Sequence, residues 1–102
     1  MWRVEYEPDS SRLTVRVCDR LTQRDVRDLS VALEEALTAS GGATFRALFD
    51  LRDLVPLEED VVERFRGLKQ RCLRSEACQG LVVLASSPTI AMQQHHTRVG
   101  SS

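Results

Sequence analysis

Long hydrophobic runs are missing from this sequence: the longest, Leu81–Ala85, has five residues, against about 18 for a membrane-spanning helix. No apolar signal-peptide core follows Met1-Trp2-Arg3-Val4-Glu5. The chain is therefore expected to be cytoplasmic, with no membrane span. Charge of one sign is not in excess: 14 basic and 15 acidic residues leave a formal charge of −1. No bulk electrostatic attraction to nucleic acid or anionic membrane follows from that balance. Three cysteines, an odd number, do not make a disulfide scaffold. Lysine is nearly absent. Lys69 is the one lysine among the 14 basic residues; the arginines are spread along the chain, which fits GC-rich codon usage better than a clustered anion site.

What is present fits one ordinary domain. The 102 residues are 42% apolar and 28% charged, enough for a single modest core. Trp2, Val4 and Tyr6 alternate with Arg3, Glu5 and Glu7, the period of a half-buried strand. Pro8-Asp9-Ser10-Ser11 is turn chemistry. Leu13, Val15 and Val17 then alternate with Arg12, Thr14 and Arg16, which predicts a β-hairpin. Thr22 followed by Asp25 reads as a helix N-cap with a first-turn carboxylate. Val26, Leu29, Leu33, Ala36 and Leu37 form a helical stripe, and Gly41-Gly42 ends it.

Phe45–Leu51 is nearly all apolar and is expected to be a strand covered on both faces. Pro56 suits the first turn of a second helix, with Glu58, Glu59 and Asp60 at its positive end. Its buried face is expected to hold Val61, Val62, Phe65, Leu68 and Cys72. Leu81–Ala85 makes a fourth strand. Ser86-Ser87-Pro88 reads as an N-cap with proline at the first helical position, opening a last helix over 88–97. The order ββαβαβα predicts an α/β fold: a four-stranded mixed sheet, parallel apart from the opening hairpin strand, with three helices. Leu33, Phe49, Phe65 and Val83 are expected to meet in its core.

That order resembles the STAS family, the fold of bacterial anti-sigma-factor antagonists, and its SpoIIAA-like branch in particular. The residues that carry the likeness are the opening hairpin, the helix over 22–39, Phe45-Arg46-Ala47-Leu48-Phe49-Asp50-Leu51, and the strand-to-cap segment from Gly80 to Pro88. The resemblance covers roughly residues 2–97. It implies a non-enzymatic protein-interaction or regulatory module. Regulated members carry a Ser or Thr just past the strand-end aspartate, whereas Asp50-Leu51-Arg52-Asp53-Leu54-Val55-Pro56 offers no hydroxyl. A phosphorylation switch at this loop is not expected, because it needs an oxygen nucleophile. The family usually continues with another strand and helix, so residues 1–102 read as one domain lacking those last elements. The uncovered edge this would leave predicts a homodimer, through Gly80–Ala85 or the terminal helix with Met92 and His96.

Two loops carry the candidate site. Asp50, Arg52 and Asp53 are expected at the carboxyl end of the central strand, where ligands collect in open α/β sheets. Ser86 and Ser87 lie at the end of the next strand, and become neighbours of Asp50 if the two strands pair. These residues are either a partner-recognition surface, an anion- or ligand-binding (even enzymatic) site built on Arg52, Ser86 and Ser87, or a solvated loop and a simple helix cap. A flat surface favours the interaction module and a closed pocket favours the ligand. No cofactor or metal is expected. His95 and His96 are adjacent, pointing about 100° apart on a helix, so they do not chelate together. Cys72 reads as a small core residue and Cys78 as a loop residue, without the C-x-x-C spacing of redox motifs.

Overall fold

The computed structural model describes residues 1–86, 88–90 and 92. The chain forms β1 (Trp2–Glu7), β2 (Arg12–Asp19), α1 (Gln23–Ala39), β3 (Phe45–Leu54), α2 (Glu59–Leu73) and β4 (Cys78–Leu84). Residues 88–90 and 92 are helical and open a third helix, as the Ser-Ser-Pro signal predicts; the expected continuation to residue 97 lies outside the described residues. The sheet order is β1-β2-β3-β4. β1 pairs antiparallel with β2, and β2–β3 and β3–β4 are parallel.

α1 arises from the local chemistry its sequence advertises. Thr22 caps α1 in a full capping box: its hydroxyl accepts from the Asp25 amide, and the Asp25 carboxylate accepts from the Thr22 amide. Gly41 and Gly42 end α1 with φ of 62° and 84°, a region where a Cβ would be strained. α2 begins three residues later than the position of Pro56 implies, at Glu59. The cause is Leu57, which the chain turns inward to bury before the helix starts.

α1 contributes Val26, Leu29 and Leu33 to the core, and α2 contributes Val61, Phe65, Leu68 and Cys72. They pack on one face of the sheet, against Leu13, Val15, Val17, Phe45, Ala47, Phe49 and Leu51. Leu33, Phe49 and Phe65 are buried there as expected. Val83 is only half-buried, because it stands on β4, an edge of the sheet. The coverage of β3 also differs from expectation: Phe45, Ala47, Phe49 and Leu51 are buried, while Leu48 and Asp50 are half-exposed and Arg46 and Arg52 exposed. Among the described residues, α1 and α2 screen one face of the sheet. The opposite face carries Arg12, Thr14, Arg16 and Cys18 from β2, and Val82 from β4 is 57% exposed.

Candidate functional site

β3 outruns its neighbour, and that overhang builds the site. The β3–β4 ladder ends at Asp50 and Leu84, whereas β3 stays paired with β2 until Leu54. Asp50, Arg52 and Asp53 therefore lie within the strand rather than beyond it. The register between β2 and β3 shifts between Arg16 and Cys18. This bulge interrupts the alternation: Leu51 and Leu54 are both buried, and Arg52 and Asp53 are both exposed. Bulges re-aim side chains in this way near sheet ends. Asp19 leaves β2 with a φ of 61°, which aspartate tolerates better than most residues, and its carbonyl accepts from the Val55 amide at 2.8 Å.

Three ion pairs lie at this end of the sheet. Asp50 and Arg52 form a two-pronged pair, with Nε donating to Oδ1 and Nη2 to Oδ2, each at 2.9 Å. Asp50 also accepts from the Arg52 amide at 3.3 Å. The Arg52 guanidinium pulls the Asp50 carboxyl down to about 2, more than offsetting the cost of its partial burial. Arg16 donates to Asp53 across the β2–β3 ladder at 3.3 Å. That bond raises the Arg16 pKa, with Cys18 and then Asp50 adding to the effect. Arg20 donates to Glu58 at 2.9 Å, and Gln23 to Asp60. These last two contacts tie the start of α1 to the start of α2. Glu58 stands at the N-cap of α2 without capping it through its side chain.

Of the residues singled out from sequence, the structure brings four together: Asp50, Arg52, Asp53 and Ser86. The Ser86 hydroxyl donates to the Arg52 carbonyl at 2.6 Å, stitching the chain after β4 to β3 where the ladder has stopped. Ser87, His95 and His96 lie outside the described residues. Arg16 and Cys18 were missed as members of the cluster, although the period-two phase of β2 places both on the same face as Thr14. Beside the cluster Val55 is 52% exposed. A groove of about 420 Å³ lies elsewhere, on α1, lined by Val31, Glu34, Glu35 and Thr38.

The fold as a whole superposes on known structures across almost the whole chain. The anti-sigma factor antagonist SpoIIAA in its unphosphorylated form superposes with a TM-score of 0.70 at 14% identity, over 99% of this chain and 84% of that one. The fold is SpoIIAA-like. An anti-sigma factor antagonist from Mycobacterium paratuberculosis gives a TM-score of 0.68 at 16% identity, over 99% of this chain and 80% of that one. An uncharacterized protein with a SpoIIAA-like fold from Shewanella loihica PV-4 gives 0.63 at 21%, over 98% and 75%. No family model and no curated protein matches the sequence. On this SpoIIAA-like frame, no described helix is long and apolar enough to cross a membrane.

Chemically, the cluster is a set of mutually neutralised charges. Arg52 directs its fork at Asp50, and Ser86 directs its hydroxyl at a backbone carbonyl. Both donors that an anion would use are engaged within the chain. Asp50, Asp53, Glu58, Glu59 and Asp60 outnumber Arg16, Arg20 and Arg52 at this end of the sheet, so the local field opposes anions despite the amides at the start of α2.

Proposed function

We propose that this chain is a non-enzymatic, regulatory protein-interaction module that docks a protein partner at the end of β3, the following loop and the start of α2. The observation that carries the reading is the overhang of β3. It presents a fixed array of paired charges beside an exposed apolar residue, Val55, rather than a pocket with converging free donors. Arrays of this type give specificity and register to a protein partner. The excess of carboxylates calls for a basic docking face, with an apolar contact for Val55. The solved antagonists of sigma-factor regulation that share the fold support the same class of activity.

Regulation through this loop does not use phosphorylation, since residues 50–56 include no hydroxyl. Incubation with a serine kinase of the anti-sigma type leaves the loop unmodified. The module is also a homodimer on this reading, because β4 is an edge strand with Val82 facing solvent, and unpaired strand edges invite a second chain. Sedimentation at micromolar concentration tests it: a doubled mass that falls for Val82→Lys supports the edge, and a mass of 11.5 kDa throughout contradicts it.

The docking claim is tested by affinity capture from the source cell extract with the wild-type chain and with Val55→Asp/Asp53→Arg. A protein retained by the first and lost by the second supports the surface. Equal retention on both overturns it.

A further inference from the structure

At the opposite end of the sheet, two cysteines flank the tight connection between α2 and β4. Cys72 lies in the last turn of α2, fully buried in the core. Cys78 is the first residue of β4, half-buried and packed against the same core. Two tight turns fold the six-residue separation back on itself: the Ser75 amide donates to the Cys72 carbonyl at 3.2 Å, and the Cys78 amide to the Ser75 carbonyl at 3.0 Å. The Phe45 amide clamps the turn from β3 by donating to the Ala77 carbonyl at 2.9 Å. The Cys78 thiol donates to the Gly80 carbonyl at 3.4 Å. Cys72 and Cys78 are close enough for their side chains to interact, with Cys78 packed against the core cluster that holds Cys72. Nothing in the linear spacing of these cysteines announces the pairing; the tight connection between α2 and β4 creates it.

We propose that Cys72 and Cys78 form a reversible oxidation site, in which a hydroperoxide such as hydrogen peroxide converts the dithiol into an intramolecular disulfide joining α2 to β4. The two sulfurs divide the work by their surroundings. Cys78 has solvent access and takes the oxidant: its sulfur attacks one peroxide oxygen, the O–O bond breaks, and a sulfenic acid and one water form. Cys72 resolves it: its sulfur attacks the Cys78 sulfur, and the sulfenyl hydroxyl leaves with the Cys72 proton as a second water. Overall two thiols and one peroxide give one disulfide and two waters. Burial pushes the Cys72 thiol up to about 12, with Cys78 adding to the rise. Cys72 is accordingly inert towards oxidant in bulk solvent and reacts only with its neighbour. A disulfide here closes the turn between the last turn of α2 and the edge strand, and restrains the segment Leu73–Ala77 between them.

Tryptic cleavage separates the two residues, since Arg71 and Arg74 flank Cys72 and the next arginine after Cys78 is Arg98. The test is a non-reducing tryptic map of the purified full chain after exposure to hydrogen peroxide, with thiols counted after unfolding. The expected result is peptide 72–74 joined to peptide 75–98, a fall from three free thiols to one, and full recovery with dithiothreitol. Cys18→Ser retains the linkage, and Cys78→Ser loses it while keeping its two remaining thiols. Cys72→Ala accumulates a sulfenic acid on Cys78 that dimedone traps. Three outcomes each overturn the proposal: disulfides between copies or to Cys18, Cys78 over-oxidised while Cys72 remains a free thiol, or an unchanged thiol count.

Discussion

Phe65 packs α2 onto the sheet through its contact with Phe49 of β3, so its truncation is an informative perturbation of the fold. It is 1% exposed. Its ring stands edge-on to Phe49, with centroids 5.9 Å apart and planes at 76°. The Lys69 ammonium sits 5.8 Å from the ring centroid. Phe65→Ala removes a packed aromatic side chain from the centre of the core, which costs about 3–5 kcal/mol when the surroundings relax only partly. The edge-to-face pair accounts for about 0.5–1.5 kcal/mol of that. Loss of the ring beneath Lys69 contributes roughly another 0.5–1 kcal/mol. A domain of this size has a total stability of about 5–15 kcal/mol, so the variant keeps at best about four-fifths of it. With a urea slope of about 2 kcal/mol per molar, the midpoint is expected to fall by about 1.5–2.5 M. Circular dichroism during urea titration reads this directly. Val83→Ala, on the half-buried edge strand, is expected to shift the midpoint visibly less. A Phe65→Ala midpoint equal to wild type, at an unchanged slope, refutes the placement of the core around this ring.

Three further outcomes follow from the same structure. Thr22→Ala breaks the capping box of α1 and is expected to cost about 1 kcal/mol, read by thermal or urea unfolding; no loss means that Asp25 holds the helix end alone. Lys69 is buried, and desolvation lowers its pKa from 10.5 to about 8, with Arg66 adding to the effect. Between these values the unfolded chain holds more protons than the folded one, so stability rises with pH across that window; Lys69→Met is expected to abolish the rise, and identical slopes for both proteins contradict it. Asp50 gives a slope of the same sign in the acid range, but there the charged form is the stabilised one. Its pKa drops from 3.8 to about 2 on folding, so its contribution is present above 3.8 and disappears as pH falls through about 2. Asp50→Asn is expected to flatten that acid limb of the stability profile, and an unchanged limb argues against the Arg52 pair.

Much of the frame was legible because local chemistry and tertiary packing agree. Thr22, Asp25 and the Gly41-Gly42 pair delimit α1 correctly, and strict alternation in β1 and β2 predicts both the hairpin and its buried side. The readings that failed did so where tertiary context overrides a local rule. Pro56 favours a helix start, but burial of Leu57 delays it to Glu59. The apolar run from Phe45 to Leu51 has the composition of a strand covered on both faces, yet Leu48 is half-exposed on the open face. A stripe at helical spacing finds Phe65 and Cys72 but passes over Lys69, which is 4% exposed with its ammonium over an aromatic ring. The pairing of β3 with β4 brings Asp50, Arg52, Asp53 and Ser86 near one another as the sequence predicts, but Asp50, Arg52 and Asp53 lie within the strand and not in a loop after it. A bulge that turns Arg52 and Asp53 outward together leaves no sign in residue types, and a cross-strand pair such as Arg16–Asp53 depends on register.

The central claim is that a protein partner docks on the overhanging end of β3 and the start of α2. Amide hydrogen exchange of this chain, alone and in complex with the captured protein, tests it residue by residue. Docking there predicts slowed exchange concentrated in residues 50–60, with the outer face of α1 around Val31 and Thr38 unchanged. Protection centred on the α1 groove, with residues 50–60 exchanging as in the free chain, contradicts it.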